Sequence, residues 1–345
     1  MKGISLDKPG GEYSLIETIE KPVPGKKQVL VKSLVTGLNP VEGFQYQGLL
    51  VDSWPIVVGC DASGTVVEVG DEVTKFKKGD GAFSCSRLGA PGRGTFQEYL
   101  LLDEALAFKR PANVIPEEAA TIGVGLLTAS LAFFSGLKIP FEPREVNSSV
   151  EWVLILGAAG AVGQFAIQLA KLCGYKVLAF CSPQNNELIK KLGADSVLSH
   201  KDPPEEQLKG VESITKSNFS RIFDASAMAG EFSMQALAEL GEKNKPKYFA
   251  TTNDWAPVTP REGIDVYIVE LGEIGKSGNT NTESVNGDIE SFIPKLETLI
   301  ASGAIKPMGY EQVGDVGVEE VLKGLDAFKT RKSDGKKLIV KLATE

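Results

Sequence analysis

The run Leu154-Ile155-Leu156-Gly157-Ala158-Ala159-Gly160-Ala161-Val162-Gly163 constrains the fold more than any other stretch of the 345-residue chain. An apolar strand enters a turn of glycine and alanine, and the turn opens an amphipathic helix from Ala161 to about Leu172. Small residues there let the backbone approach a pyrophosphate, and Gly163 lets helix pack close to strand. The N–H groups at the helix start, with the helix dipole, then hold the anion. Gly157, Ala158, Ala159, Gly160, Ala161, Val162 and Gly163 are therefore the expected phosphate loop. The pattern is A-x-G-x-x-G, one glycine short of the full dinucleotide fingerprint, and alone it would also serve as a packing turn. Its context is what gives it weight. Extended segments at Lys176–Phe180, Ser196–Leu198, Ser220–Phe223, Lys247–Thr251 and Asp265–Leu271 follow. Between them lie helical ones at about Asn185–Leu192, Glu205–Lys216 and Phe232–Leu240. This alternation predicts βαβ units and a doubly wound parallel sheet of Rossmann type in an α/β protein.

The first 120 or so residues read differently. Gln28–Val35, Gly64–Gly70 and Gly94–Leu102 are β-rich and separated by turns such as Gly79-Asp80-Gly81, which suggests a barrel. Gly reaches 37 of 345 residues, well above the usual share of about 7%, as tight turns require. Ala119–Leu137 carries no charge and is long enough for a membrane span, but its glycines and hydroxyls point to a buried helix. Gly272–Gly287 reads as a flexible connection, Asp288–Ser302 as a helix and Lys337–Leu342 as a last strand.

The strand after the loop bears on the coenzyme. An acidic residue about twenty positions on would bind a free ribose 2′-hydroxyl. Here Phe180-Cys181-Ser182-Pro183-Gln184-Asn185-Asn186 holds no carboxylate before Glu187, and Ser182 and Asn185 can donate to a 2′-phosphate. NADP(H) is the expected coenzyme. A formal charge of −8 with no basic cluster argues against nucleic acid. A single histidine excludes two-histidine zinc hydrolysis, and four cysteines without C-x-x-C spacing suit reduced thiols in the cytoplasm. No signal peptide is expected from Met1–Pro9.

Several pieces in order resemble the medium-chain dehydrogenase/reductase superfamily, in its zinc-free quinone- and enoyl-reductase branch. They are Leu38-Asn39-Pro40-Val41-Glu42, Val58–Gly70, Lys78-Gly79-Asp80, Gly94–Tyr99 and Leu127-Thr128-Ala129, followed by the Gly157–Gly163 loop, Leu192-Gly193-Ala194-Asp195, Ile222–Ser226 and Gly335–Leu338. Within the family, Phe180-Cys181-Ser182-Pro183 followed by Asn looks most like fungal reductases, including trans-acting enoyl reductases of polyketide pathways. The resemblance implies a split GroES-like β-barrel catalytic domain, residues 1–122 and 286–345, around a Rossmann domain, residues 123–285.

It also implies chemistry. Zinc-dependent relatives carry a Cys before an acid in the first catalytic segment and Gly-His-Glu in the second; here Thr36-Gly37-Leu38-Asn39-Pro40 and Gly59-Cys60-Asp61 stand instead. Metal is therefore not expected. The expected activity is NADPH-dependent transfer of hydride to an activated C=C or a quinone, with a small carbonyl, enone or quinone as substrate. A zinc-free aldehyde reductase or alcohol dehydrogenase is one alternative, and an NADP-binding partner protein with little catalysis is another. Asn39, Tyr46 and Thr128 are the expected catalytic residues, although Leu49 and Leu50 stand where some enoyl reductases place a Tyr, and the Lys that many fungal homologues place near Phe44 is missing. Asp224 and Thr251 end Rossmann strands and are expected to line the nicotinamide side. His200 is expected in a surface turn. A homodimer through Asp265–Glu270 is left open, and neither membrane nor nucleic acid is an expected partner.

Overall fold

The computed structural model describes residues 1–142, 150–256, 258–331 and 334–345. In chain order the first part supplies strands β1 (Gly3–Leu6), β2 (Ser14–Ile16), β3 (Gln28–Gly37), β4 (Ile56–Val57), β5 (Asp61–Val69), β6 (Gly81–Cys85), β7 (Tyr99–Asp103) and β8 (Phe108–Lys109). Helices α1 (Val41–Tyr46) and α2 (Pro116–Ala119) fall among and after them. The chain continues through α3 (Gly123–Ser130), β9 (Trp152–Leu156), α4 (Ala161–Leu172), β10 (Lys176–Cys181), α5 (Asn186–Lys191), β11 (Ser196–Ser199) and α6 (Pro204–Thr215). Then come β12 (Phe219–Asp224), α7 (Gly230–Leu240), β13 (Lys247–Thr251), β14 (Ile264–Ile268), α8 (Thr280–Ala301), β15 (Tyr310–Val316), α9 (Glu320–Thr330) and β16 (Lys337–Lys341).

Two compact units result. The first is Met1–Val124, Gly272–Lys332 and Lys336–Glu345; the second is Gly125–Leu271 with Ser333–Gly335. Both ends of the chain thus build one unit and the middle builds the other. The second unit ends at Leu271 rather than 285, because α8 begins at Thr280 and belongs to the first.

In the first unit, the larger sheet runs β15-β16-β3-β5-β6-β8, with β7 also on β3, and a small sheet runs β2-β1-β4. Strand β3 pairs antiparallel with β5, β7 and β16, so its side chains Val29, Val31, Leu34 and Val35 are buried. Glycine is required where strands touch: a Cβ on Gly64 would lie 2.1 Å from the Lys32 carbonyl oxygen. The helix α8 starts at an Asn279 cap that accepts from Thr282 N–H at 2.9 Å, so the expected flexible connection is helical from Thr280.

The second unit is a six-stranded parallel sheet, β11-β10-β9-β12-β13-β14. Strand order reverses between β10 and β12 around β9, which opens a crevice at the carboxyl ends of these strands. Leu154, Leu178, Phe180, Ile222 and Phe249 form continuous apolar rows, as expected for strands covered on both faces. The uncharged run 119–137 is not one helix. It breaks after α2, resumes as α3 and widens into a π-helical turn at Leu131–Gly136. Gly136 is required there, since a Cβ would sit 2.8 Å from the Tyr267 ring. No helix among the described residues is long and apolar enough to cross a membrane.

Candidate functional site

In the second unit a cavity of about 580 Å³ opens at the ends of β9, β10 and β12. Its floor is the Gly157–Gly160 turn. Gly157 adopts φ of +71°, a conformation that glycine accepts without the Cβ penalty. A Cβ on Gly163 would lie 2.4 Å from the Gly157 carbonyl oxygen, so α4 packs against the turn only because that residue has no side chain. A Cβ on Gly160 would meet nothing nearer than that carbonyl at 3.5 Å, and the space before it is open cavity. A small-residue turn at the N-terminus of a twelve-residue helix, with Gly160 open to solvent, fits a pyrophosphate.

Gly157, Ala159, Gly160, Ser182 and Asn185 line this cavity. Ala158, Ala161, Val162 and Gly163 stand outside its lining and shape the turn; the Ala158 amide donates to the Phe180 carbonyl at 3.0 Å. Asp224 and Thr251 are fully buried and also outside the lining. Asp224 Oδ1 accepts from Ser226 N–H at 3.0 Å and from Ser226 Oγ at 2.5 Å, and Oδ2 accepts from Ala229 N–H at 2.9 Å. Its carboxylate is thereby spent on folding the turn that carries Ala225, Ser226 and Met228 to the cavity wall.

Sequence reasoning missed His200. It is exposed, as a surface turn would be, yet it lines the cavity with Nε2 2.8 Å from Ser182 Oγ. The signal was available in the strand order. In a doubly wound sheet the second and third strands lie side by side, and Cys181 pairs with Ser199, so the residues just beyond them meet.

Thr128, on α3, is buried and its Oγ1 has no hydrogen-bond partner among the described residues. A buried hydroxyl without a partner is costly, which makes it a group with a donor to spare.

Asn39 belongs to a different constellation, in the first unit. Lys337 Nζ donates to Asp61 Oδ2 at 2.7 Å and to Asn39 Oδ1 at 2.5 Å. Asn39 Nδ2 donates to Asp61 Oδ2 at 3.1 Å, Gly37 O at 3.2 Å and Cys60 Sγ at 3.3 Å. Glu42 accepts from the Asn39 amide and lies 3.5 Å from Cys60 Sγ. Burial outweighs the Asn39 hydrogen bond and the Lys337 charge, and pushes the Glu42 carboxyl up to about 8. Tyr46, near the end of α1, is 37% exposed and donates its hydroxyl to Gly10 O at 3.1 Å, with its ring 5.6 Å from that of Tyr13.

The Cys60, Asp61 and Cys85 ligand atoms lie within 4.8 Å of one another, a spacing a metal could use. The surroundings do not fit zinc. Asp61 Oδ1 accepts from Val124 N–H at 2.7 Å, while Oδ2 holds the Lys337 ammonium. Burial, followed by Cys85 and the Glu42 and Asp61 carboxylates, pushes the Cys60 thiol well up, whereas zinc binds thiolate.

Comparison with known proteins finds relatives along most of the chain. Residues 25–112 match the family described as alcohol dehydrogenase GroES-like domain, and residues 161–243 the family described as zinc-binding dehydrogenase. A trans-enoyl reductase of Pyricularia oryzae is 30% identical over 338 residues, covering 93% of this chain and 92% of that one. A chloroplast envelope quinone oxidoreductase homolog of Arabidopsis thaliana is 36% identical over 217 residues, 61% of this chain and 64% of that one. Among solved structures, an alcohol dehydrogenase superfamily protein from Novosphingobium aromaticivorans superposes with a TM-score of 0.78 at 21% identity, over 99% of this chain and 100% of that one.

Proposed function

The chain belongs to the medium-chain dehydrogenase/reductase superfamily, and from that premise we propose that it is an NADPH-dependent, zinc-independent reductase of activated C=C bonds or quinones. The observation that carries the coenzyme choice is the wall beside β10. Ser182, Asn185 and His200 supply polar groups there, and among the described residues no Asp or Glu lines the cavity to repel a 2′-phosphate. The acceptor class is supported by the relatives, one named an enoyl reductase and another a quinone oxidoreductase homolog.

When bound, the dinucleotide supplies hydride to the acceptor. The chain's own part is to hold and orient. The Gly157–Gly163 turn and the α4 N-terminus hold the pyrophosphate, and Ser182 and Asn185 donate to the 2′-phosphate. Thr128 Oγ1, with no hydrogen-bond partner among the described residues, is left able to donate to a bound molecule. Asn39 acts as a brace, because its amide is already engaged by Lys337, Asp61 and Cys60. Tyr46 would have to release the Gly10 carbonyl before giving up its proton, so solvent is the simpler proton source. Zinc has no part, given the ammonium beside Asp61.

A panel of NADPH-oxidation assays with an enone, an enoyl thioester, a quinone and an aldehyde tests this reading, before and after dialysis against a chelator. Turnover with one of the first three, no turnover with the aldehyde and indifference to chelation are expected. Turnover confined to the aldehyde, or lost on chelation, would overturn it.

A further inference from the structure

The geometry points to His200, the single histidine of the chain, as the residue that sets how strongly the site prefers a ribose 2′-phosphate, so that preference for NADPH over NADH rises as pH falls toward 6.5. This inference rests on the NADPH reading above.

Strands β10 and β11 run parallel with Cys181 beside Ser199, and the His200 amide donates to the Cys181 carbonyl at 3.3 Å. Both strands therefore leave the sheet together, which brings His200 Nε2 to 2.8 Å from Ser182 Oγ at the cavity wall. Among the described residues that wall carries no Asp, Glu, Lys or Arg. Among the described lining residues, His200 is of the side-chain type that gains a positive charge near neutral pH. The other titratable lining residue is Cys181, and burial pushes its thiol up, so it stays neutral. Lys201 and Asp202 on the same turn, Glu187 on α5, and Glu205 and Glu206 at the start of α6 lie outside the lining.

The hydrogen bond itself makes a switch. When the neutral ring presents its Nε2 lone pair, the one hydroxyl hydrogen of Ser182 is spent on it. Once the ring is protonated, both nitrogens are donors, so Nε2–H must donate to Ser182 Oγ. The Ser182 hydrogen is then released toward the cavity. A phosphate monoester gains a cation and a donor in one step, whereas a ribose hydroxyl gains little. By linkage, binding of the 2′-phosphate must in turn favour the protonated ring.

With one histidine, the imidazole resonances can be assigned without ambiguity. Their midpoint should rise by on the order of one pH unit when NADP⁺ saturates the protein, and stay in place with NAD⁺. In fluorescence titrations between pH 6.5 and 8.5, the ratio of NADH to NADPH dissociation constants should rise about tenfold as pH falls. It should be flat in His200→Gln, which keeps a polar side chain that does not titrate. The phosphate's own titration near 6 is common to both proteins and cancels in the comparison. A midpoint indifferent to NADP⁺, or an equal slope in His200→Gln with NADPH still bound more tightly than NADH, overturns the role of His200 alone. NADH bound more tightly than NADPH at every pH overturns the coenzyme reading, and this inference with it.

Discussion

Glu42 is 2% exposed and held between the Asn39 amide and Cys60, with its carboxyl raised to about 8 mainly by loss of water. A folded-state value above the unfolded one means that the native chain binds the extra proton. Stability contributed by that proton is present below about pH 4.5 and is lost as pH rises to about 8. The cost at high pH is on the order of 3–5 kcal/mol. Glu42→Gln keeps the shape and cannot ionise, so its urea midpoint should overtake that of the wild type between pH 5 and pH 9. Parallel pH profiles for the two proteins would show that Glu42 titrates normally. At this scale the sequence was a partial guide. Asn39 was visible through its motif, but its partner Lys337 lies 298 positions away, and a hydrogen bond over such a separation leaves no local pattern. His200 lies in an exposed turn as expected, but its nearness to Ser182 comes from strand pairing and leaves no local pattern.

Among the elements, the β9–turn–α4 unit depends most on a single missing side chain. In Gly163→Ala the new Cβ would lie 2.4 Å from one backbone atom and 2.6 Å from another, neither able to yield as a flexible side chain would. The helix must then move off the turn. Thermal melting should report a loss of about 1–3 kcal/mol, as for an overpacked core. NADPH affinity should fall by more than tenfold in the same variant, because the amide groups move with the helix. Unchanged affinity in a destabilised protein would separate packing from binding and remove the turn from the site. This unit was legible because strand period, glycine spacing and helix period agree over a short stretch. Others were not. The start of α8 is capped by Asn279 with Thr282, a pairing that lacks the usual acidic partner, so it read as loop. Among the described residues strand β15 pairs only with β16 and is largely exposed, which leaves no alternation of apolar residues to detect. In α9, Val321 and Leu325 are buried four residues apart, a helical spacing too sparse to stand out on its own.

At the scale of the whole molecule, the division into a split unit and an inserted one follows from motif order, since β-rich sequence flanks the βαβ run on both sides. Periodicity alone would have produced two consecutive domains. The same topology leaves one consequence outside the single chain. Strand β14 closes the six-stranded sheet on one side and, among the described residues, has a pairing strand only on its β13 edge. Its side chains Val266 and Ile268 are 38% and 36% exposed, and no lysine or proline within it blocks addition of another strand. Unprotected edges of this kind invite pairing. A second copy related by a two-fold axis presents the same edge, so the two β14 strands can lie side by side. A homodimer is therefore expected in sedimentation velocity at micromolar concentration. Val266→Lys with Ile268→Lys should shift it to monomer, with the circular dichroism of the fold retained. A wild-type chain that sediments as a monomer throughout that range would mean that another feature of the surface protects the β14 edge.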